Sequence, residues 1–98
     1  MMFMIVLDTQ KEDAVVKAQV EAAIKTMGNW SNRLKNVWLL ESKTRAARGI
    51  RDHLKQFLGE RDRIFVARIS RNWAGRNMGK GFPEWMTRRE FGTFTDAS

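Results

Sequence analysis

The stretch NWSNRLKNVWLLES, residues 29–42, decides the fold. A helical pattern precedes it and another follows it, yet it carries no helical stripe of its own. β-type residues stand on either side of Lys35-Asn36. The stretch predicts a hairpin, with one strand near 30–34 and another near 37–41. Working outward, MFMIVLD (2–8) is a short apolar run closed by an acid, the pattern of a buried strand. TQKE (9–12) offers a capping box, Thr9 with Glu12 three positions on. Val16, Val20, Ile24 and Met27 then recur on one face of a helix, and Gly28 stands where that helix would stop. Beyond the hairpin, Ser42 is placed to cap a second helix. Ala47, Ile50, Leu54, Phe57 and Leu58 form its apolar face and Gly59 ends it. RIFVARI (63–69) reads as a fourth strand.

The predicted order is strand, helix, strand, strand, helix, strand. That is an α+β chain of the ferredoxin-like βαββαβ kind, with right-handed crossovers placing both helices on one face of the sheet. Residues 1–91 are expected to form a single domain. A C-terminal extension begins near residue 70 and contains a short helix started by Pro83, with Phe82, Trp85 and Met86 available for packing. Residues 92–98 read as a flexible tail.

The strands do not alternate apolar with polar, as a sheet covered on one side should. Phe3, Ile5 and Leu7 oppose Met2, Met4 and Val6. Val37 and Leu39 oppose Trp38 and Leu40. Ile64 and Val66 oppose Phe65, Ala67 and Ile69. Both faces are apolar, and two helices cover only one. The second face calls for the C-terminal segment, a second copy of the chain, or both. A two-fold dimer is the favoured expectation.

The charge is equally uneven. Residues 1–42 hold five Lys or Arg and five acids, whereas residues 43–98 hold thirteen Lys or Arg, most of them arginine, against six acids. The formal charge of +7 therefore lies wholly in the second half. Arginine presents a planar fork suited to phosphate, so a DNA or RNA backbone is the expected partner. Candidate contacts are Arg45, Arg48, Arg51 and Lys55 on the second helix, and Arg68, Arg71, Arg76 and Lys80 in and after the fourth strand. Within RISRNWAGRN (68–77), Trp73 is expected to anchor the segment while the arginines face outward; Trp38 is a second candidate for an interface or packing anchor. A solubilising coat, or docking on an acidic protein surface, accounts for the same charge by other means.

Chemical motifs are sparse. Asp8 is the one candidate for catalysis and metal binding: paired with its symmetry mate it would suit Mg2+ and water activation at a phosphodiester. Its alternative role is to cap or charge the following helix. His53, the single histidine, has no triad context, and neither Ser42 nor Ser70 has a nucleophile's surroundings. GRNMGKGF (75–82) lacks Walker spacing, and NVWLLES lacks the Lys/Arg-Gly-aromatic signature of an RNA-recognition module. The chain has no cysteine, which rules out disulfides and thiolate zinc sites and agrees with a cytoplasmic location. The apolar start, residues 1–7, is too short to span a membrane and lacks the flanks of a signal peptide.

MIVLDT, the helix ending at Gly28, NVWLLES and DRIFVARISRNWAG together resemble the SinR-like proteins related to CRISPR-associated protein two, with VapD-type proteins as more distant relatives. The resemblance covers about residues 2–78. It implies a ferredoxin-like homodimer joined through sheet faces, serving in the CRISPR adaptation complex as a scaffold that holds DNA through basic residues. It also implies paired first-strand aspartates linked to metal-dependent nuclease activity, a place held here by Asp8. The chain departs from the CRISPR branch in reading Leu7-Asp8 where that branch has Tyr-Asp.

Overall fold

The computed structural model describes residues 1–10 and 14–93. It is an α+β structure with a four-stranded antiparallel sheet and three helices. The elements run β1 (Met2–Asp8), α1 (Ala14–Met27), β2 (Asn29–Leu34), β3 (Val37–Glu41), α2 (Ala47–Lys55), β4 (Arg63–Ile69) and α3 (Phe82–Thr87). The strand order is β2-β3-β1-β4, so β1 is flanked by β3 and β4 and the two edges are β2 and β4. The proposed Thr9–Glu12 capping box falls partly outside the described residues, as does most of the expected C-terminal tail.

The hairpin of 29–42 has its strands close to the predicted limits. Its register slips between Ser31 and Leu34. Asn32 fits the irregularity: its side-chain amide donates to the carbonyls of Leu34 and Val37, both at 2.8 Å. The helix α1 stops at Met27 for a different reason from the one its sequence suggested. Gly28 is needed because β3 passes close by. A Cβ at that position would run into the Glu41 carbonyl.

Ser42 does not cap α2. That helix starts at Ala47, behind an extended Ala46 that gives no side-chain cap. Ser42 is buried instead, and its hydroxyl accepts the Arg45 backbone N–H at 3.2 Å. The competing local hydrogen bond closes a turn ahead of the helix. The other end of α2 is also earlier than Gly59. After Lys55 the chain tightens into short-range turns, Phe57 N–H to the Leu54 carbonyl and Leu58 N–H to the Lys55 carbonyl. Phe57 and Leu58 still pack on the core.

Both α1 and α2 lie on one face of the sheet. Their Val20, Ala23, Ile24, Ile50 and Leu54 bury Phe3, Ile5, Leu7, Trp38 and Leu40, with Ile64 and Val66 at the margin. A second, smaller cluster occupies the opposite face, where Met2 packs with Phe82, Met86 and Phe91 and is bordered by Leu39 and Ile69. The C-terminal segment thus covers that face at one end of the strands. Gly81, at φ +86°, admits the left-handed turn that leads Phe82 and Pro83 into α3.

The cover is partial. Register places Leu34, Val37, Val6 and Phe65 in one row across all four strands, with Met4 and Ala67 in the row beside it. Leu34 is 50% exposed and Phe65 60%. Met4, Val6, Val37 and Ala67 are half-buried. The apolar second face seen in the sequence is therefore roofed at the Met2 end and open at the Val6 end.

Candidate functional site

The eight cations singled out by the sequence do not form one surface. Arg48, Arg51 and Lys55, spaced three and four apart, share the exposed side of α2. Arg48 and Arg51 also line a shallow hollow beside β4 with Ala47, Ile64, Phe65 and Val66. Arg51 makes a contact of its own, its guanidinium donating to Asp52 at 2.8 and 3.0 Å. That hydrogen bond, with the charges of Arg51, Lys55 and Arg48, holds the Asp52 carboxyl below its ordinary pKa. Arg45, expected on the second helix, lies ahead of it instead: its backbone N–H is held by the Ser42 hydroxyl, and it is half-buried in the turn before Ala47.

Arg68 and Arg71 serve the C-terminal segment. Arg68 pairs in register with Phe3 and reaches the carbonyls of Phe91 and Thr93, each at 3.0 Å. Arg71 donates to the Arg89 carbonyl at 2.9 Å, and its guanidinium lies 4.8 Å from the centre of the Phe91 ring. Arg76 and Lys80 are exposed in the stretch before α3. The Lys80 carbonyl meets the guanidinium of Arg33, on the β2 edge, at 3.4 Å. Arg33 and Lys80 are thus near one edge of the sheet, while the α2 cations border the other.

The two tryptophans divide as well. Trp38 is 2% exposed under the helices, a core residue whose indole N–H finds no partner among the described residues. Trp73 anchors its segment on the other face, edge-on to Phe82 with ring centres 5.6 Å apart. With Met78 it walls a groove of about 250 Å3 whose floor is Met4, Leu34, Val37 and Leu39 and whose rim includes Arg33.

Asp8 is exposed at the end of β1, opposite Arg63 in the register. Among the described residues no group of three His, Asp or Glu side chains is placed to hold a metal ion. Nor is any helix among them long and apolar enough to cross a membrane.

Sequence reasoning missed Glu41. It accepts the Asn29 amide at 2.8 Å and the Glu90 backbone N–H at 2.6 Å, and it pairs with Arg89 at 3.5 Å. Its partners 48 and 49 residues away left no local signal. The groove was equally illegible, because Arg33 and Trp73 meet only through the fold. No protein-family model, no curated protein and no solved structure matches the chain.

Proposed function

We propose that the chain is a ferredoxin-like, homodimeric scaffold that holds a nucleic-acid backbone without reading its sequence. The observation that carries this reading is the exposed stripe of Arg48, Arg51 and Lys55 on α2. Three cations at helical spacing on the outer side of a helix present their charge to a polyanion, which has to displace water and counterions from Arg48 and Lys55 and the Asp52 carboxylate from Arg51. The strand order β2-β3-β1-β4, with both helices on one face, supports the ferredoxin-like reading. The open apolar row, where Leu34 is 50% and Phe65 60% exposed, supports the dimer by offering a second copy an apolar contact surface. The resemblance to SinR-like proteins points the same way.

The test is a titration of a fluorescent duplex at several salt concentrations. Log affinity should fall linearly with log salt, by about 0.9 per phosphate neutralised on B-form DNA. Arg48→Ala and Lys55→Ala should each flatten that line. Absence of binding at the lowest salt, or binding indifferent to salt, overturns the proposal.

A further inference from the structure

We infer that the groove between the β2–β3 hairpin and the Trp73–Met78 wall binds a small aromatic monoanion, a molecule of two fused rings bearing one carboxylate. The inference goes beyond the scaffold reading and does not depend on it, because every residue that shapes the groove belongs to a single copy of the chain. The groove also stops short of Val6, Ala67 and Phe65, which leaves that end of the open row to a second copy.

Two segments meet to form it. The strands supply an apolar floor, with Leu34 and Val37 paired in one row and Met4 and Leu39 in the next. The stretch after β4 supplies the wall. Gly75 lets that stretch fold tightly: a Cβ there would stand only 2.8 Å from the Met78 side chain, which lies across it beside Trp73. Trp73 is fixed in turn against the edge of Phe82. The wall is thus packed in place without a ligand. An apolar, aromatic lining with few polar groups is the make-up of a small-molecule site.

The volume of about 250 Å3 sets the size of the occupant. A dry apolar cavity of about 150 Å3 takes one benzene ring, so this groove has room for two fused rings. Trp73 and Phe82 offer ring edges and faces to an aromatic guest, and the Met78 thioether packs favourably on a ring.

The rim sets the charge. Arg33 is exposed there, and its guanidinium lies against Gly79, where a Cβ would collide with it. Its one partner among the described residues is the Lys80 carbonyl at 3.4 Å, a long bond that leaves most of its N–H donors unused. No acid lines the groove among the described residues, and Arg76 and Lys80 are exposed nearby in the same stretch. A positive mouth with an unmatched planar fork selects a carboxylate. The Asn72 carboxamide and the Ser31 hydroxyl also line the groove without a side-chain hydrogen bond among the described residues, and they suit one ring hydroxyl or ring N–H. They are too few for the several polar edges of a nucleobase, which would be buried unpaired at a cost.

Methionines report the site directly. Met4, Met78 and Met86 line the groove, whereas Met1 and Met27 pack on the core under the helices. Naphthalene-2-carboxylate is titrated into the full chain labelled with carbon-13 at its methionine methyls. The Met4, Met78 and Met86 signals should shift together while Met1 and Met27 stay still. The neutral naphthalene-2-carboxamide, of the same shape, should bind more weakly by about tenfold, the effect of one charge-assisted pair. Arg33→Gln should weaken the carboxylate by the same factor and leave the carboxamide unchanged. Equal affinity of the parent protein for the two probes overturns the anion site, and this comparison needs no variant to fold. Shifts spread to Met1 and Met27, or no shift up to the solubility of the probe, overturn the groove as the site. Tighter binding of adenosine monophosphate, with the same three methionines shifting, would give the groove to a nucleotide and overturn the assignment. So would movement of Met4 and Met78 on concentrating the protein without probe, which would give it to a second copy.

Discussion

Glu41, at the end of β3, accepts the backbone N–H of Glu90 at 2.6 Å. This contact joins the sheet to the chain's last described turn, and Arg89 and Asn29 close around the same carboxylate. Burial alone would raise the Glu41 pKa. The Asn29 and Glu90 hydrogen bonds, with the Arg89 and N-terminal charges, outweigh it and hold the group below its ordinary value of 4.5. The ionised form is thus favoured by folding. Its contribution is complete above the unfolded-state pKa and is lost as pH falls through the lower folded one. Glu41→Ala should cost about 1.5–3 kcal/mol, the range for hydrogen bonds to a charged group. Urea unfolding at neutral and acid pH checks both points: the stability gap between variant and parent should close in acid.

Arg71 and Arg48 are both exposed arginines, and the structure gives them different work. Arg71 donates to the Arg89 carbonyl and lies over Phe91, so Arg71→Ala should loosen the C-terminal segment. Hydrogen exchange at residues 82–91 should quicken, while the salt dependence of nucleic-acid binding stays the same. Arg48→Ala should do the reverse, leaving exchange unchanged and reducing the salt slope by about 0.9. A reduced slope in both variants would place Arg71 at the interface after all.

Much of this fold is written locally. The hairpin of 29–42 and the periodicity of α1 are set by residues within a few positions of each other. So is the doubled apolar pattern of β1, β3 and β4, which marks a second face in need of cover. What local pattern does not carry is the fraction of that face the chain covers itself. That depends on how far α3 reaches, and therefore on Phe82, Met86 and Phe91 meeting Met2 some eighty residues away. Ser42 misled because serine before a helical stripe also closes turns, and the buried turn won. The cations misled because composition counts charge without saying which guanidinium faces a carbonyl of its own chain, as Arg68 does.

Asp52 sets the strength of the α2 stripe. Its carboxylate accepts two hydrogen bonds from Arg51, which a phosphate would have to replace. Asp52→Asn removes one negative charge from the stripe and weakens Arg51's attachment to the chain. Affinity for a duplex should rise, and the salt slope should steepen by up to about 0.9 as a further phosphate is neutralised. Weaker binding in this variant would indicate that Asp52 positions Arg51 for its ligand. Fluorescence anisotropy across a salt series distinguishes the two outcomes.

Trp38 decides whether the sheet's helical face belongs to the core or to an interface. It is 2% exposed within the cluster formed by α1, α2 and the sheet, and its indole N–H is buried without a partner among the described residues. Trp38→Ala should cost about 3–5 kcal/mol through lost burial and the cavity left behind. Trp38→Phe keeps most of the ring and removes the unsatisfied donor, which by itself costs about 1–3 kcal/mol where it stands. The phenylalanine variant should therefore lose much less, because the two terms oppose each other. Chemical denaturation gives the difference. Sedimentation at a fixed, folded concentration completes the test: the assembly mass should be the same for Trp38→Phe and the parent, since Trp38 lies under the helices and the proposed contact is on the opposite face.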